Sequence, residues 1–216
     1  NDEPTLTASA VGGTFTEDGS NVALFSGADA ADGDSQTTQT WKSLIFTVTN
    51  VADTTESIVV DGTSMPLTDG HQTANSATNA AQLDVSISGG TATVTVTPDA
   101  ASLTDSELET MINALAYTNS DQSPTAGDRV ITITTLRDEG GVVGAGDDSV
   151  TVSLVATITV AAANDAPVIA NSDNTGAYTE GAGGTVTDTL VVTDADGTTP
   201  TWSCTGCSDA GATQTL

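Results

Sequence analysis

The 216-residue chain is strongly acidic: 29 aspartate and glutamate residues against three lysine and arginine residues give it a net charge of −26. This charge repels nucleic acid and anionic membranes, and the lack of any run of roughly 18 apolar residues excludes a membrane-spanning helix. Hydrophobic residues make up 37% of the chain and recur in regular alternation, which argues against intrinsic disorder.

Short alternating runs rich in β-branched residues predict strands along most of the chain. The predicted strands are Leu44–Thr49, Leu83–Ile87, Ala92–Thr97, Val130–Thr134, Val150–Leu154, Ile158–Val160 and Thr189–Thr193. Gly89-Gly90 lies between two of them and predicts a hairpin turn. The region from Thr54 to Ala81, rich in Gly, Asn, Ser and Thr, is expected to be partly loop. Many short strands separated by turn signals predict an all-β sandwich.

One segment departs from this alternation and predicts a helix. Thr104 and Glu107 have the spacing of a capping box, in which each side chain binds the backbone N–H at the other position. The apolar residues that follow recur at helical spacing. We therefore expect one short helix from about Asp105 to Ala116, with its apolar stripe packed on the sandwich.

The chain also repeats itself. Asn1-Asp2-Glu3-Pro4 returns 163 residues later as Asn164-Asp165-Ala166-Pro167, and Phe15-Thr16-Glu17 returns as Tyr178-Thr179-Glu180. Asp32-Gly33-Asp34 and Thr40-Trp41 return, with small shifts, as Asp194-Ala195-Asp196 and Thr201-Trp202. A fixed period indicates tandem modules, so residues 1–163 are predicted to form one repeat and residues 164–216 the start of a second, incomplete one.

The repeated residues are mostly acids near predicted strand ends and linkers. Hard oxygen ligands gathered at module junctions favour Ca²⁺. A simpler interpretation is that the acids only solvate a surface exposed to salty water. The recurrence of the acids at equivalent positions argues for the metal.

The sequence resembles the cadherin-like repeats of giant bacterial surface adhesins of the RTX type, and its second module is similar to VCBS-type repeats. The motifs that carry the resemblance are Thr16-Glu17-Asp18, Leu115-Ala116-Tyr117-Thr118-Asn119, Gly127-Asp128-Arg129-Val130, Arg137-Asp138-Glu139-Gly140-Gly141, Asn164-Asp165-Ala166-Pro167 and Asp194-Ala195-Asp196-Gly197. The resemblance implies Greek-key β-sandwich modules of cadherin or immunoglobulin type, joined by Ca²⁺.

The resemblance also implies a set of ligands. Glu17 would face the following module, where Asn164, Asp165, Asp194 and Asp196 would complete the same site. Asp32, Asp34 and Asp138 would face the preceding module, with Asp2 in the linker before it, and Glu180 would serve the next junction. Eukaryotic cadherin linkers carry another acid where this chain has Ala162, so the junction is expected to hold fewer ions or to bind them more weakly.

Other chemistry is thinly represented. Cys204 and Cys207 form a single Cys-x-x-Cys, for which a local disulfide in an oxidising environment is the best interpretation. A zinc site would need two more ligands, and the only histidine, His71, lies in the other module. With one histidine and no nucleophile motif, the chain is not expected to be an enzyme.

The sequence therefore predicts a Ca²⁺-rigidified extracellular spacer of a cell-surface adhesin. Its partners would be neighbouring repeats of the same or like chains, with a cell-surface or polysaccharide ligand as a further candidate. Two alternatives stay open. One is a filament subunit whose second module is completed by a strand of another chain. The other is a sugar- or peptide-binding module that uses the 54–81 region and Trp41.

Overall fold

The computed structural model describes residues 3–33, 40–99, 103–139, 148–170 and 191–199. Strands account for 55% of these residues, and the described part of the chain contains one helix, so the mostly-β prediction is confirmed. The chain divides into two compact units, Asn1–Ala163 and Asn164–Leu216. That these units are repeats stays a prediction.

The described strands of the first unit form three sheets. They are β1 (Thr5–Ala10), β2 (Gly13–Thr16), β3 (Val22–Ala23), β4 (Phe25–Ala31), β5 (Trp41–Thr49), β6 (Glu56–Val60), β7 (Thr63–Pro66), β8 (Gln72–Thr73), β9 (Gln82–Ser88), β10 (Thr91–Thr97), β11 (Ala116–Asn119), β12 (Gly127–Asp138) and β13 (Ser149–Ala161). A seven-stranded sheet has the order β2-β13-β12-β5-β10-β9-β8, a four-stranded sheet the order β3-β11-β6-β7, and β1 pairs with β4. All pairings are antiparallel except that of β2 with β13.

The predicted strands before residue 163 all lie within observed strands. Two of the predicted strands are joined in a single observed strand. Ile158–Val160 is not a separate strand but the second half of β13, because no turn residue interrupts Val155-Ala156-Thr157. The hairpin at Gly89-Gly90 is confirmed. Ser88 pairs with Thr91, and both glycines have positive φ, +58° and +75°, the two-residue turn that favours glycine at each position.

The region from Thr54 to Ala81 contributes more to the core than the sequence indicated. It contains β6, β7 and β8, and its side chains Ile58, Val60, Met65 and Leu67 are fully buried. The loop prediction is therefore correct only for the connecting segments. The misleading signal was the polar composition, since polar residues of this region such as Asp61 are themselves buried and hydrogen-bonded.

The helix α1 (Asp105–Asn113) begins as predicted. The Thr104 hydroxyl accepts a hydrogen bond from the Glu107 backbone N–H, and the Glu107 carboxylate accepts one from the Thr104 backbone N–H at 2.9 Å. The helix ends three residues before the predicted Ala116, which instead begins β11. Leu115 misled the prediction because it is buried beyond the helix end, where it continues the apolar spacing.

Side chains of α1 also cover the free edge of β4. The Asn113 amide oxygen accepts a hydrogen bond from the Ala28 backbone N–H at 2.9 Å, and the Glu109 carboxylate accepts one from Ala30 at 3.2 Å. An uncovered edge would expose unpaired backbone donors to other chains. The helix thus closes one side of the β1–β4 pair.

Buried residues from the sheets and α1 belong to a single hydrophobic core. Phe15 of β2 and Tyr117 of β11 meet edge to face, with ring centroids 5.4 Å apart. Trp41 is 1% exposed, and its indole N–H donates to Asp105 at 2.9 Å. Trp41 is therefore a core residue and offers no aromatic platform to a sugar, which removes that part of the ligand-binding alternative.

The described part of the second unit contains one antiparallel pair, β14 (Val168–Ala170) with β15 (Val191–Thr193). The predicted strand Thr189–Thr193 therefore begins outside the described residues. Trp202, Cys204 and Cys207 also lie outside them, so the disulfide stays a prediction.

Candidate functional site

Strand directions place the predicted ligands of the first unit at two opposite ends. β13 finishes at Ala161, and the parallel pairing of Thr16 with Ala161 brings Glu17 to the same end. The Glu17 backbone N–H donates to the Ala161 carbonyl at 3.0 Å. We call this the exit end, since the chain leaves the first unit here at Ala163.

Asp32 and Asp138 lie at the other end of the first unit. β12 runs antiparallel to β13, so Asp138 at the end of β12 is far from the exit end, beside Trp41 at the start of β5. Asp32 follows Ala31, which pairs with Thr5 at the start of β1. Asp138 is buried and Asp32 half-buried. Asp2 and Asp34, predicted for the same end, lie outside the described residues.

Glu17 is buried at the exit end and hydrogen-bonded to the segment that leaves it. Its side chain is 5% exposed, and Oε2 accepts a hydrogen bond from the Ala163 backbone N–H at 2.8 Å. The other oxygen, Oε1, is buried and has no hydrogen-bond partner among the described residues. Leaving a buried acceptor unsatisfied costs about 1–3 kcal/mol, and more for a charged group, so Oε1 calls for a further partner.

In the second unit, the structure brings four predicted ligands together: Asn164, Asp165, Asp194 and Asp196. The Asp194 carboxylate accepts hydrogen bonds from the Asp196 backbone N–H at 3.0 Å and from the Thr198 hydroxyl at 2.5 Å. The Asp196 carboxylate accepts one from the Asp165 backbone N–H at 2.5 Å, and the Asn164 amide donates to the Asp165 carbonyl at 2.7 Å. Glu180 lies outside the described residues.

No group of three or more Asp, Glu, His or Cys side chains within the described segments forms a metal cluster on its own. A cation at Glu17 would therefore also use backbone carbonyls, water or residues outside these segments, which are ordinary Ca²⁺ ligands. The metal assignment stays a prediction.

A buried ion pair near the exit end was missed from the sequence. The Arg129 guanidinium binds both oxygens of Glu56, at 2.8 and 3.0 Å, and the two side chains are 2% and 0% exposed. The Tyr117 hydroxyl donates to Glu56 at 3.0 Å, and the other Glu56 oxygen accepts the backbone N–H groups of Ala52 and Asp53. A signal was present, because Arg129 alternates in phase with the inward-facing Ile131 and Ile133.

Burial and pairing shift the pKa values in this network. Burial by itself lowers the pKa of Arg129, but the hydrogen bonds and the charge of Glu56 outweigh it and raise that pKa. Burial and the Glu56 charge both raise the pKa of the Tyr117 hydroxyl. Both groups therefore keep their protons, and the chain holds one of its three basic side chains as a permanent charge in its interior.

The network extends to the loops at the exit end through Asp53. Its carboxylate accepts the Thr125 hydroxyl at 2.6 Å, the Thr125 backbone N–H at 2.9 Å and the Asn119 amide at 3.0 Å. The loop before Thr125 also contacts the residue next to Glu17, because the Gln122 side-chain amide donates a hydrogen bond to the Asp18 carboxylate at 2.9 Å. The buried pair thus anchors the loops that surround the exit end.

The hydrogen bonds of the Asp53 carboxylate predict that the folded protein loses stability in acid. Burial acts to raise its pKa, but the Thr125 and Asn119 hydrogen bonds together lower it below 3.8 in the folded protein. A lowered folded-state pKa adds stability above the unfolded value, and that stability is lost as the pH falls through the folded value. We therefore expect the free energy of unfolding to decrease as the pH is lowered below about 4. This decrease should be smaller in Asp53→Asn.

Urea titrations at several pH values would measure this dependence. Thr125→Val keeps the carboxylate but removes its hydroxyl donor, so it should weaken the same pH dependence. A wild-type slope in both variants would contradict the role of Asp53.

Comparison of the chain with protein-family models, curated proteins and solved structures found no match. Among the described residues, no helix is long and apolar enough to cross a membrane.

Proposed function

We propose that this chain is a calcium-rigidified spacer module of a long, repetitive extracellular adhesin, built from Greek-key β-sandwich modules of cadherin-like and VCBS type. The observation that carries the proposal is Glu17. Its carboxylate is buried at the exit end, and Oε1 has no hydrogen-bond partner among the described residues. A hard cation supplies what this oxygen lacks, because Ca²⁺ in proteins is bound by oxygen ligands, carboxylates prominent among them.

Three further features support the spacer. Asp32 and Asp138 lie at the end opposite Glu17, as a module linked at both ends requires. The two larger sheets contribute to one core, as is expected of a sandwich. The net charge of −26 favours extension, and divalent cations would neutralise it where acids converge.

Ca²⁺ acts in this proposal by linkage. Extracellular modules hold Ca²⁺ with Kd values of about 10⁻⁴–10⁻³ M, so about 5 mM Ca²⁺ adds roughly 2 kcal/mol per site at the tighter limit. For a unit of this size, that corresponds to a rise in Tm of about 4–8 °C. Repeated along a series of modules, the same binding would stiffen a rod that holds a distal adhesive domain away from the cell.

The direct test is thermal unfolding in EDTA and in about 5 mM Ca²⁺. We expect the wild type to show the rise in Tm, and Glu17→Gln to lose most of it while unfolding in EDTA much like the wild type. Glutamine is the suitable replacement because its amide oxygen can still accept from Ala163. Asp84→Asn is the matched control: it also removes one charge, but from β9, near the far edge of the seven-stranded sheet.

The result decides between clear alternatives. Equal Tm values in EDTA and Ca²⁺ for the wild type would reject calcium rigidification. A rise that Glu17→Gln keeps in full would leave Ca²⁺ binding in place but reject Glu17 as the ligand that carries it.

A further inference from the structure

Two acids stand side by side at the exit end, and their carboxylates have different surroundings. Glu17 is buried, with Oε2 bound to the Ala163 backbone N–H and Oε1 without a hydrogen-bond partner among the described residues. Asp18 is exposed, and its carboxylate accepts a hydrogen bond from the Gln122 side-chain amide at 2.9 Å. Only the first of the two carboxylates therefore offers a buried oxygen to a further partner, while the second is bound to a neighbouring loop.

Both acids belong to one tight turn, Thr16–Gly19. The Gly19 backbone N–H donates to the Thr16 carbonyl at 2.8 Å and closes the turn. A Cβ on Gly19 would lie 2.5 Å from that carbonyl oxygen, so the turn closes in this way only with glycine at its last position. Asp18 has a φ of +56°, in the left-handed region that few residues other than glycine, asparagine and aspartate adopt. The shape of the turn that presents Glu17 thus depends on the residue after it.

The loop that carries Gln122 is anchored to the rest of the first unit on both sides. Before it, the buried Asn119 side chain accepts the Thr55 hydroxyl at 2.8 Å. After it, the Thr125 backbone N–H and hydroxyl donate to Asp53 at 2.9 and 2.6 Å. A hydrogen bond made from an anchored loop requires less ordering than one made from a free segment, so this loop is suited to hold the turn.

We propose that the hydrogen bond between Gln122 and Asp18 positions the Glu17 carboxylate for its cation. Glu17 is then the ligand, and Asp18 fixes the turn without ligating. This role rests on the calcium binding proposed above. The Glu17 backbone N–H is already bound to the Ala161 carbonyl and Oε2 to Ala163, so a fixed turn confines Oε1 to one position. A ligand already held in its binding geometry does not have to be ordered when the cation binds, and this raises the affinity.

Variants of Asp18 separate its charge from its hydrogen bond. Asp18→Asn removes the charge but keeps an acceptor for Gln122 and tolerates the left-handed conformation, so the Kd for Ca²⁺ should rise at most about threefold through the lost charge. Asp18→Ala removes the acceptor as well and should raise the Kd by a further factor of about 3–10, the usual effect of one hydrogen bond. Gln122→Ala changes no charge and should raise the Kd by about the same factor of 3–10.

Isothermal titration calorimetry of the 216-residue chain with Ca²⁺ measures these Kd values. Asp18→Ala and Gln122→Ala break the same hydrogen bond, so the double variant should bind no more weakly than Asp18→Ala alone. Gln82→Ala is the matched control, because the Gln82 amide also donates to an aspartate, Asp84, but within β9. It should bind Ca²⁺ as the wild type does.

Hydrogen exchange of the Gly19 amide in EDTA reports on the turn without any metal. We expect this exchange to be about threefold faster or more in Gln122→Ala, because the turn loses its hydrogen bond to the loop. Unchanged exchange would overturn the positioning role.

The calorimetry distinguishes this role from the function on which it rests. A wild type that does not bind Ca²⁺ rejects the proposed function and the positioning role together. If the wild type binds, an unchanged Kd in Gln122→Ala overturns the positioning role alone. Asp18→Asn binding as weakly as Asp18→Ala would make Asp18 a ligand and also overturn it, as would additive losses in the double variant.

Discussion

Replacing Glu56 with alanine should lower the free energy of unfolding by about 3–5 kcal/mol. The substitution leaves the Arg129 charge buried without its counter-ion, and it also removes the acceptor for the Tyr117 hydroxyl and the backbone N–H groups of Ala52 and Asp53. Breaking one side of a buried pair costs far more than the pair contributes by itself, because the remaining charge stays desolvated. Urea denaturation at neutral pH would measure the loss.

The chain contains a matched exposed pair. Lys42 and Glu139 form a salt bridge whose side chains are 51% and 40% exposed, so Glu139→Ala should cost at most about 1 kcal/mol. Adding Arg129→Met to Glu56→Ala should recover stability, since it removes the uncompensated charge. Equal losses for the buried and exposed acids, or no recovery in the double variant, would contradict the burial of this pair.

Asp165→Ala should abolish the effect of Ca²⁺ on the overall dimensions while leaving both units folded. If Ca²⁺ orders the linker, small-angle scattering of the wild type should give a sharply defined maximum dimension in Ca²⁺ and a broad distribution in EDTA. The contacts seen for Asp165 are made by its backbone N–H and carbonyl, so removing the carboxylate should cost little stability. We expect the variant to scatter in Ca²⁺ as the wild type does in EDTA.

Asp84→Ala serves as the control for lost charge and should respond to Ca²⁺ as the wild type does. Identical scattering of wild type and Asp165→Ala in both conditions would refute the spacer mechanism. A filament subunit or a ligand-binding module would then be the better account of the chain.

Features that depend on near neighbours in the chain were readable from the sequence. The capping box at Thr104 and Glu107 and the Gly89-Gly90 hairpin are decided within a few residues, by backbone geometry and hydrogen bonds that need no distant partner. Alternation of apolar residues also located β5, β9, β10, β12 and β13, because each has one face turned to the core.

Features that depend on distant partners were not readable. Nothing near Glu56 indicates that Arg129, 73 residues later, will neutralise it, so the sequence predicts the polar region around Glu56 to be partly loop. The end of α1 was misplaced for a related reason, since Leu115 is buried by tertiary packing after the helix has stopped.

The same distinction between local and distant features applies to the candidate site. The sequence by itself determined which residues could ligate a cation, because carboxylates at repeated positions are a chemical property of the chain. Only the tertiary structure decided where they lie: the parallel pairing of β2 with β13 buries Glu17 beside Ala163, and the antiparallel course of β12 carries Asp138 to the opposite end. Strand pairing over more than a hundred residues of separation depends on the whole core, and no local pattern encodes it.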